Sequence, residues 1–256
     1  MNLQGRHDAI VALCRAQGSV TVEGLAERFR VTPQTIRRDI NVLSDANLLR
    51  RRHGGAELVP ASTNVPYDTR RVNHLQAKMR IGLAVAARIP AGASLLLGIG
   101  TTPEQVAVAL ARHEGLTVVT NNLRVALTFA ANPTVQVVMA GGSLRKPNPE
   151  VLGETADALF RRYRADFGIY GVGGIDTDGT LLDFDHAEAA SRQALRESCR
   201  VPILVADASK FGRHAPVRGG HLSEAAVFIT DADPGLGWTE HLAPSTDLVL
   251  TGAAPC

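Results

Sequence analysis

Two groups of residues in this chain have the types and spacing for chemistry. The first is the stretch Thr32-Pro33-Gln34-Thr35-Ile36-Arg37-Arg38-Asp39. Arginine and glutamine carry forked hydrogen-bonding groups that match guanine and adenine edges in a major groove, and threonine can bond a phosphate or touch a thymine methyl. Gln34, Thr35, Arg37 and Arg38 are therefore suited to reading bases, although an ordinary solvated helix face fits those residues equally well by themselves. The second group begins at Gly98-Ile99-Gly100-Thr101-Thr102-Pro103-Glu104, a small-residue turn opening a helix. Backbone N–H groups at a helix start, joined by two hydroxyls, make a phosphate cradle. The third glycine of a dinucleotide fingerprint is missing and no Gly-Lys-Thr follows, so a small phosphoester fits better than a nucleotide. The alternative is a purely structural tight turn.

Further groups stand where they can join this cradle. Thr120-Asn121-Asn122, Ala140-Gly141-Gly142-Ser143 and Asp207-Ala208-Ser209-Lys210-Phe211-Gly212 each follow a short apolar run, and Asp183, Asp185 and Glu188 approach a later helix. Asparagine offers donor and acceptor to hydroxyls, Lys210 can neutralise a phosphate, and a carboxylate such as Asp183 or Glu188 can fix a hydroxyl. Each is weak alone. Their convergence on one rim is what would make a site.

The elements that must position these groups follow from periodicity. Residues from Arg6 to Gln17 have helical spacing and end at Gly18; Thr21 caps a second helix bearing Val22, Leu25, Ala26 and Phe29. Thr32 caps a third, Pro33 suits its first position, and Ile36, Ile40 and Leu43 make its apolar stripe. Two short helices joined by a tight turn make a helix-turn-helix, and the segment from Leu48 to Ala56 predicts a β-hairpin wing with a basic edge. Proline and small polar residues between 59 and 72, among them Pro60, Ser62, Thr63, Asn64 and Pro66, predict a linker. A helix over Val72–Ile89 is predicted next, with Leu75, Met79, Leu83 and Ala86 as its buried stripe. Strands are then expected at Ser94–Leu97, Thr117–Thr120, Val135–Ala140, Phe167–Gly171, Val201–Ala206, Ala226–Thr230 and Asp247–Leu250. Helices at Pro103–Arg112, Leu123–Ala131, Glu154–Arg162 and His186–Cys199 alternate with them, which predicts an α/β domain with a mostly parallel sheet. Ligands of such sheets bind beyond the carboxyl ends of the strands, where the second group of residues falls.

Composition narrows the function classes. With 256 residues and 45% hydrophobic content, the chain can bury one large or two smaller cores. It has no apolar run of about 18 residues and no leader-like N-terminus, so no membrane partner and a cytoplasmic location are expected. Cys14, Cys199 and Cys256 lack metal or disulfide spacing; no metal and no cofactor are expected, and Cys14 and Cys199 should pack in cores. The net charge of +2 is unevenly spread. Residues 1–60 hold 9 Lys+Arg against 6 Asp+Glu, a net of +3, whereas the other 196 residues hold 18 and 19, a net of −1. The densest cluster, Arg50-Arg51-Arg52-His53, lies just after the third helix.

Residues 6–56, above all Val31 to Asp39 and Arg51-Arg52-His53-Gly54-Gly55-Ala56, resemble the DeoR-type winged helix-turn-helix of bacterial transcriptional regulators. The resemblance implies that Thr32, Gln34, Thr35, Arg37 and Arg38 contact bases or adjacent phosphates of double-stranded operator DNA, with Arg51, Arg52 and His53 on the flanking backbone. It extends through Gly100-Thr101-Thr102, Val119-Thr120-Asn121, Ala140-Gly141-Gly142, Asp166-Phe167-Gly168 and Ser209-Lys210-Phe211-Gly212, which look like the effector domain of that family, related to sugar-phosphate isomerases. Longer stretches, including Gly173 to Gly179, Leu181 to Asp185 and Lys210-Phe211-Gly212-Arg213, resemble the members that repress glycerol-3-phosphate metabolism genes. That implies sn-glycerol 3-phosphate as inducer, held by Gly100, Thr101, Thr102, Asn121, Gly141, Gly142, Asp183, Glu188 and Lys210. The chain departs from the family pattern at Gly98, where an aspartate is usual, and around His186-Ala187.

The expected organisation is a DNA-binding domain at 1–58, a linker at 59–72 and an effector-sensing α/β domain at 73–256. A homo-oligomer is expected, because one helix cannot supply operator specificity and two-fold pairing on palindromic half-sites can; the family resemblance implies a tetramer. Alternatives are a regulator answering another phosphosugar, an architectural DNA-binder, and a sugar-phosphate isomerase-like enzyme. Isomerisation needs a carboxylate placed to move a proton between carbons. The related isomerases carry an acidic run where this chain reads Gly171-Val172-Gly173-Gly174, so a non-enzymatic protein is expected.

Overall fold

The computed structural model describes residues 3–45, 49–58 and 64–252. Leu48 of the expected wing, Pro60, Ser62 and Thr63 of the expected linker, and Cys256 lie outside the described residues. The chain divides into two compact units, Met1–Val65 and Pro66–Cys256.

The first unit runs α1 (Leu3–Gln17), β1 (Ser19–Thr21), α2 (Val22–Phe29), α3 (Pro33–Asp45), β2 (Leu49–Arg52) and β3 (Gly55–Leu58). The predicted caps are in place. Gly18 leaves α1 at φ 77°, the Thr21 side chain accepts from the Gly24 N–H, and the Thr32 hydroxyl accepts from the Thr35 N–H at 3.2 Å. Ile36, Ile40 and Leu43 are buried against Ile10, Cys14, Leu25, Leu49 and Ala56, so packing fixes α3 on one face only. Strand β1 was not expected. It pairs with β3 antiparallel, and Gly55 permits this because a Cβ there would overlap the Val20 carbonyl.

The second unit runs α4 (Tyr67–Val72), α5 (Leu75–Ala86), β4 (Ser94–Leu97), α6 (Thr101–Leu110), β5 (Thr117–Thr120), α7 (Leu123–Phe129), β6 (Gln136–Met139) and α8 (Glu154–Arg161). It continues with β7 (Ala165–Tyr170), β8 (Gly174–Ile175), β9 (Thr180–Asp183), α9 (His186–Glu197), β10 (Cys199–Val205), β11 (Val217–His221), β12 (Val227–Thr230), α10 (Leu236–Thr239) and β13 (Asp247–Leu250). Seven parallel strands lie in the order β13-β12-β10-β7-β4-β5-β6, and β8, β9 and β11 form a small antiparallel sheet that the apolar pattern did not announce. Strand order grows from β4 one way through β5 and β6, and from β7 the other way through β10, β12 and β13. The switch point is therefore the gap beyond β4 and β7, where crevices open in such sheets. Leu95, Leu96 and Leu97 are all buried, two toward one core cluster and one toward the other, as a sheet covered on both faces requires.

Two expectations need correction. The stretch read as the second half of the linker contains α4, which Pro66 starts and whose Tyr67 is buried. Half of the stripe expected on the next helix is displaced: α5 buries Ala77, Lys78, Ile81, Gly82, Val85 and the expected Ala86, and keeps Leu75 partly buried, but leaves Met79 and Leu83 exposed. Small residues decide this. A Cβ on Gly82 would stand 2.6 Å from the Gln105 carbonyl oxygen, so the bare position lets α5 approach α6 closely, and Ile81 and Val85 beside it fill the core that Val106 and Leu110 share.

Candidate nucleic-acid interface and effector site

On α3, Gln34, Arg37 and Arg38 are exposed with the cap Thr32, and Thr35 is half-buried with its hydroxyl 2.9 Å from that of Thr32. Asp39, next in sequence, is buried. Its carboxylate accepts from Arg6 Nε at 2.7 Å and Arg6 Nη2 at 3.1 Å, and lies 3.0 Å from His7 Nε2. Sequence reasoning missed this clamp, because its partners stand in helices α1 and α3 and no local spacing joins them. On the wing, Arg51, Arg52 and His53 are exposed, but the arginines are not equivalent. Arg50 and Arg52 share Glu57, at 2.7 Å from Arg50 Nε and 3.1 Å from Arg52 Nη1, while alternation along β2 turns Arg51 to the other side.

In the second unit, Gly100 takes φ 113° to swing the chain from β4 into α6, whose first residues Thr101 and Thr102 are buried at the strand ends. The opening N–H groups of a helix have no acceptor within it, so they are available to an anion. Lys210 follows β10 in a short 3-10 turn capped by Asp207. The structure adds cations that sequence reasoning did not assign. Arg70 of α4, Lys78 of α5 and Arg213 gather around Lys210 with the buried Asp207. Burial first, then the Arg213 charge, lowers the Lys210 ammonium to about 7, with Asp207 opposing. Burial and the Arg70 charge likewise lower Arg213, to about 10. Arg213 closes the Lys210-Phe211-Gly212-Arg213 motif, and Arg70 lies in α4, within the stretch expected to be a linker.

The remaining expected residues divide. Asp183 pairs with Arg192 at 2.5 Å, and Glu188 is held by Arg145, which also grips Glu150. Asp183, Glu188 and Arg192 line one small pocket with Gly98 and Gly171 at the switch point. Asn121 is fully buried and donates to the Val151 carbonyl at 2.9 Å and Ser191 Oγ at 3.0 Å, which makes it a brace between elements. Gly141 borders a separate shallow cleft with Glu154 and Arg162, and Gly142 follows it beyond β6, two strands from β4. Asn122 donates to Glu104 at 3.3 Å, and Glu104 also accepts from the Tyr67 hydroxyl, so α4, α6 and α7 are tied behind the phosphate turn. Among the described residues no group of His, Cys, Asp or Glu is placed to hold a metal ion, and no helix is long and apolar enough to cross a membrane.

A winged helix-turn-helix unit and an α/β unit with a polar pocket at its sheet switch point define a transcription regulator with a sensor domain. Residues 6–61 match the DeoR-like helix-turn-helix domain and residues 73–232 match the DeoR C terminal sensor domain, and the chain belongs to the DeoR family of regulators. It is 45% identical to the glycerol-3-phosphate regulon repressor of Escherichia coli strain K12, over 90% of this chain and 91% of that protein. It is 44% identical to the glycerol-3-phosphate regulon repressor of Haemophilus influenzae, over 90% and 89%, and 37% identical to the HTH-type transcriptional repressor CsqR of E. coli, over 90% and 88%. Among solved structures, ribose 5-phosphate isomerase A of Methanocaldococcus jannaschii is 12% identical with a TM-score of 0.40, covering 54% of this chain and 55% of that one, a likeness too distant to bear on function.

Proposed function

We propose that the protein is a repressor of glycerol-3-phosphate metabolism genes that binds operator DNA through residues 1–58 and is released when residues 73–256 take up sn-glycerol 3-phosphate. The observation that supports the reading is the buried cluster of Lys210 with Arg213, Arg70 and Asp207 beyond β10, at the same carboxyl edge of the parallel sheet from which α6 starts at Gly100, Thr101 and Thr102 beyond β4. Helix-start amides and the cations Lys210, Arg213 and Arg70 suit a phosphate dianion, while Lys78 donates to the Arg70 and Asn73 carbonyls and braces the cluster. The relatives named as glycerol-3-phosphate regulon repressors supply the choice among phosphoesters.

In this reading Gln34, Arg37 and Arg38 read base edges, Thr32 and Thr35 meet the adjacent backbone, and Arg51, Arg52 and His53 meet flanking phosphates. Two copies acting on a palindrome supply specificity, and the protein works in the cytoplasm without catalysing a reaction. The run Gly171-Val172-Gly173-Gly174 beyond β7 has no carboxylate, and Glu104, Asp183 and Glu188 are each committed to a partner rather than poised to move a proton.

The test is fluorescence anisotropy of the full chain on promoter DNA from the glycerol-3-phosphate genes of its own genome. sn-Glycerol 3-phosphate should lower operator affinity, and by linkage operator should lower ligand affinity by the same factor. Equal ligand affinity with and without operator would sink the proposal.

A further inference from the structure

The pocket beside the phosphate turn holds a feature that anion binding leaves unused. It is lined by Gly98, Tyr170, Asp183, Glu188, Ser191 and Arg192. Arg192 is 6% exposed and Asp183 4%. Arg192 Nη1 and Asp183 Oδ2 are in contact at 2.5 Å, while Arg192 Nη2 and the buried Tyr170 hydroxyl have no hydrogen-bond partner among the described residues. Buried polar groups are nearly always satisfied, so such a set at a crevice points to a ligand that completes it.

We propose, resting on the effector reading above, that the Asp183–Arg192 pair reads vicinal hydroxyls, so that the site selects the phosphate monoester of a short uncharged polyol. The carboxylates beside the pocket already outnumber their guanidinium partners: Asp183 faces Arg192, and Arg145 is shared by Glu188, Glu150 and Asp185. A ligand carboxylate would add an unpaired negative charge there. A hydroxyl adds none, and it can accept from a guanidinium N–H while donating to a carboxylate oxygen, so two neighbouring hydroxyls can use both members of the pair. The surroundings keep the pair in place. Asp183 Oδ1 accepts from the Gly173 N–H at 3.1 Å, and a Cβ on Gly219 would overlap Arg192 Nη2. Gly98 lines the pocket without a side chain, and a Cβ there would already stand 3.2 Å from Leu195 Cδ1. Arg192 is on this account a specificity-determining residue that the phosphate itself does not require.

The experiment is calorimetric titration of the full chain with four probes: inorganic phosphate, propyl phosphate, sn-glycerol 3-phosphate and 3-phosphoglycerate. Glycerol 3-phosphate should bind at least about tenfold more tightly than propyl phosphate, which lacks the hydroxyls, and than 3-phosphoglycerate, which adds a carboxylate. In Arg192→Gln, glycerol 3-phosphate should fall to the level of propyl phosphate while inorganic phosphate binds as before. If that variant does not fold, the four-probe series on the unaltered chain decides alone. Equal affinity for propyl phosphate and glycerol 3-phosphate overturns the hydroxyl reader and leaves the phosphate site standing. Failure of all four probes to bind overturns the effector reading and this inference with it.

Discussion

Asp39 of α3 and Arg6 of α1 form a two-point ion pair, at 2.7 and 3.1 Å, directly after the exposed Arg37 and Arg38. The clamp fixes the helix from behind while its neighbours stay in solvent. Breaking a buried pair strands its partner, and since Arg6 keeps some exposure, Asp39→Ala should cost the first unit about 2–3 kcal/mol in urea unfolding. Burial raises the Asp39 carboxyl, but the Arg6 and His7 hydrogen bonds outweigh it and hold the group below its ordinary value. A lowered carboxylate stabilises above the unfolded value of about 3.9 and loses that contribution as pH falls through the folded one, so the clamp should fail only below about pH 4. Unfolding of Asp39→Ala indistinguishable from the unaltered chain would refute the clamp.

Arg37 and Arg51 should fail in different ways under the proposed reading. A lost bidentate base contact costs about 1–3 kcal/mol, so Arg37→Ala should weaken operator binding roughly 5- to 150-fold and flatten discrimination against unrelated DNA. Arg51→Ala should weaken all DNA alike and reduce the salt slope by about one. Anisotropy titrations on operator and scrambled DNA at several salt concentrations separate the two. Both variants should keep full affinity for sn-glycerol 3-phosphate.

Strands and caps were legible in the chain, while convergence was not. Parallel strands covered on both faces read as apolar runs, which is why Ser94–Leu97, Thr117–Thr120 and Asp247–Leu250 stand where expected. The side of α5 was illegible because closeness, allowed by Gly82, outranks the bulk of Met79 and Leu83. The small sheet of β8, β9 and β11 has a two-residue strand and a Gly219-Gly220 interruption, too short and irregular for periodicity. In the crevice, Thr101 and Lys210 announce themselves by local motif. Arg213 stands in the same loop as Lys210, whereas Arg70 comes from α4 and Arg192 from α9, and no local spacing links either to Lys210. Asn121 follows a strand end as a ligand group would, but its burial gives its amide hydrogens to Val151 and Ser191.

Thr101 tests whether sensing and reading are separable. Its position at the α6 start, buried behind Gly100, suits a phosphate contact and lies in a different compact unit from α3. Thr101→Ala should therefore bind operator as the unaltered chain does and need at least about tenfold more sn-glycerol 3-phosphate for release, the loss expected for one charge-assisted hydrogen bond. A matching loss of operator affinity would show that the residue supports the fold rather than the ligand.

Lys210 should give inducer binding a pH optimum. Burial and the nearby Arg213 lower its ammonium to about 7 in the free protein, so above that pH the site increasingly binds phosphate with one charge fewer. A bound dianion favours the protonated amine, so the ligand raises that value and takes up a proton. Affinity is then greatest below about 7 as far as Lys210 is concerned and falls as pH rises through it, by at most about tenfold per pH unit. On the acid side the phosphate becomes a dianion only above about pH 6, which weakens binding in the opposite direction. The two limbs place the optimum between about 6 and 7. Calorimetry at pH 8 in buffers of different ionisation enthalpy should register proton uptake, and Lys210→Arg, which keeps its charge, should lose the alkaline limb. Affinity that stays level from pH 7 to about pH 9 in the unaltered chain, or declines equally in Lys210→Arg, would remove Lys210 from the site.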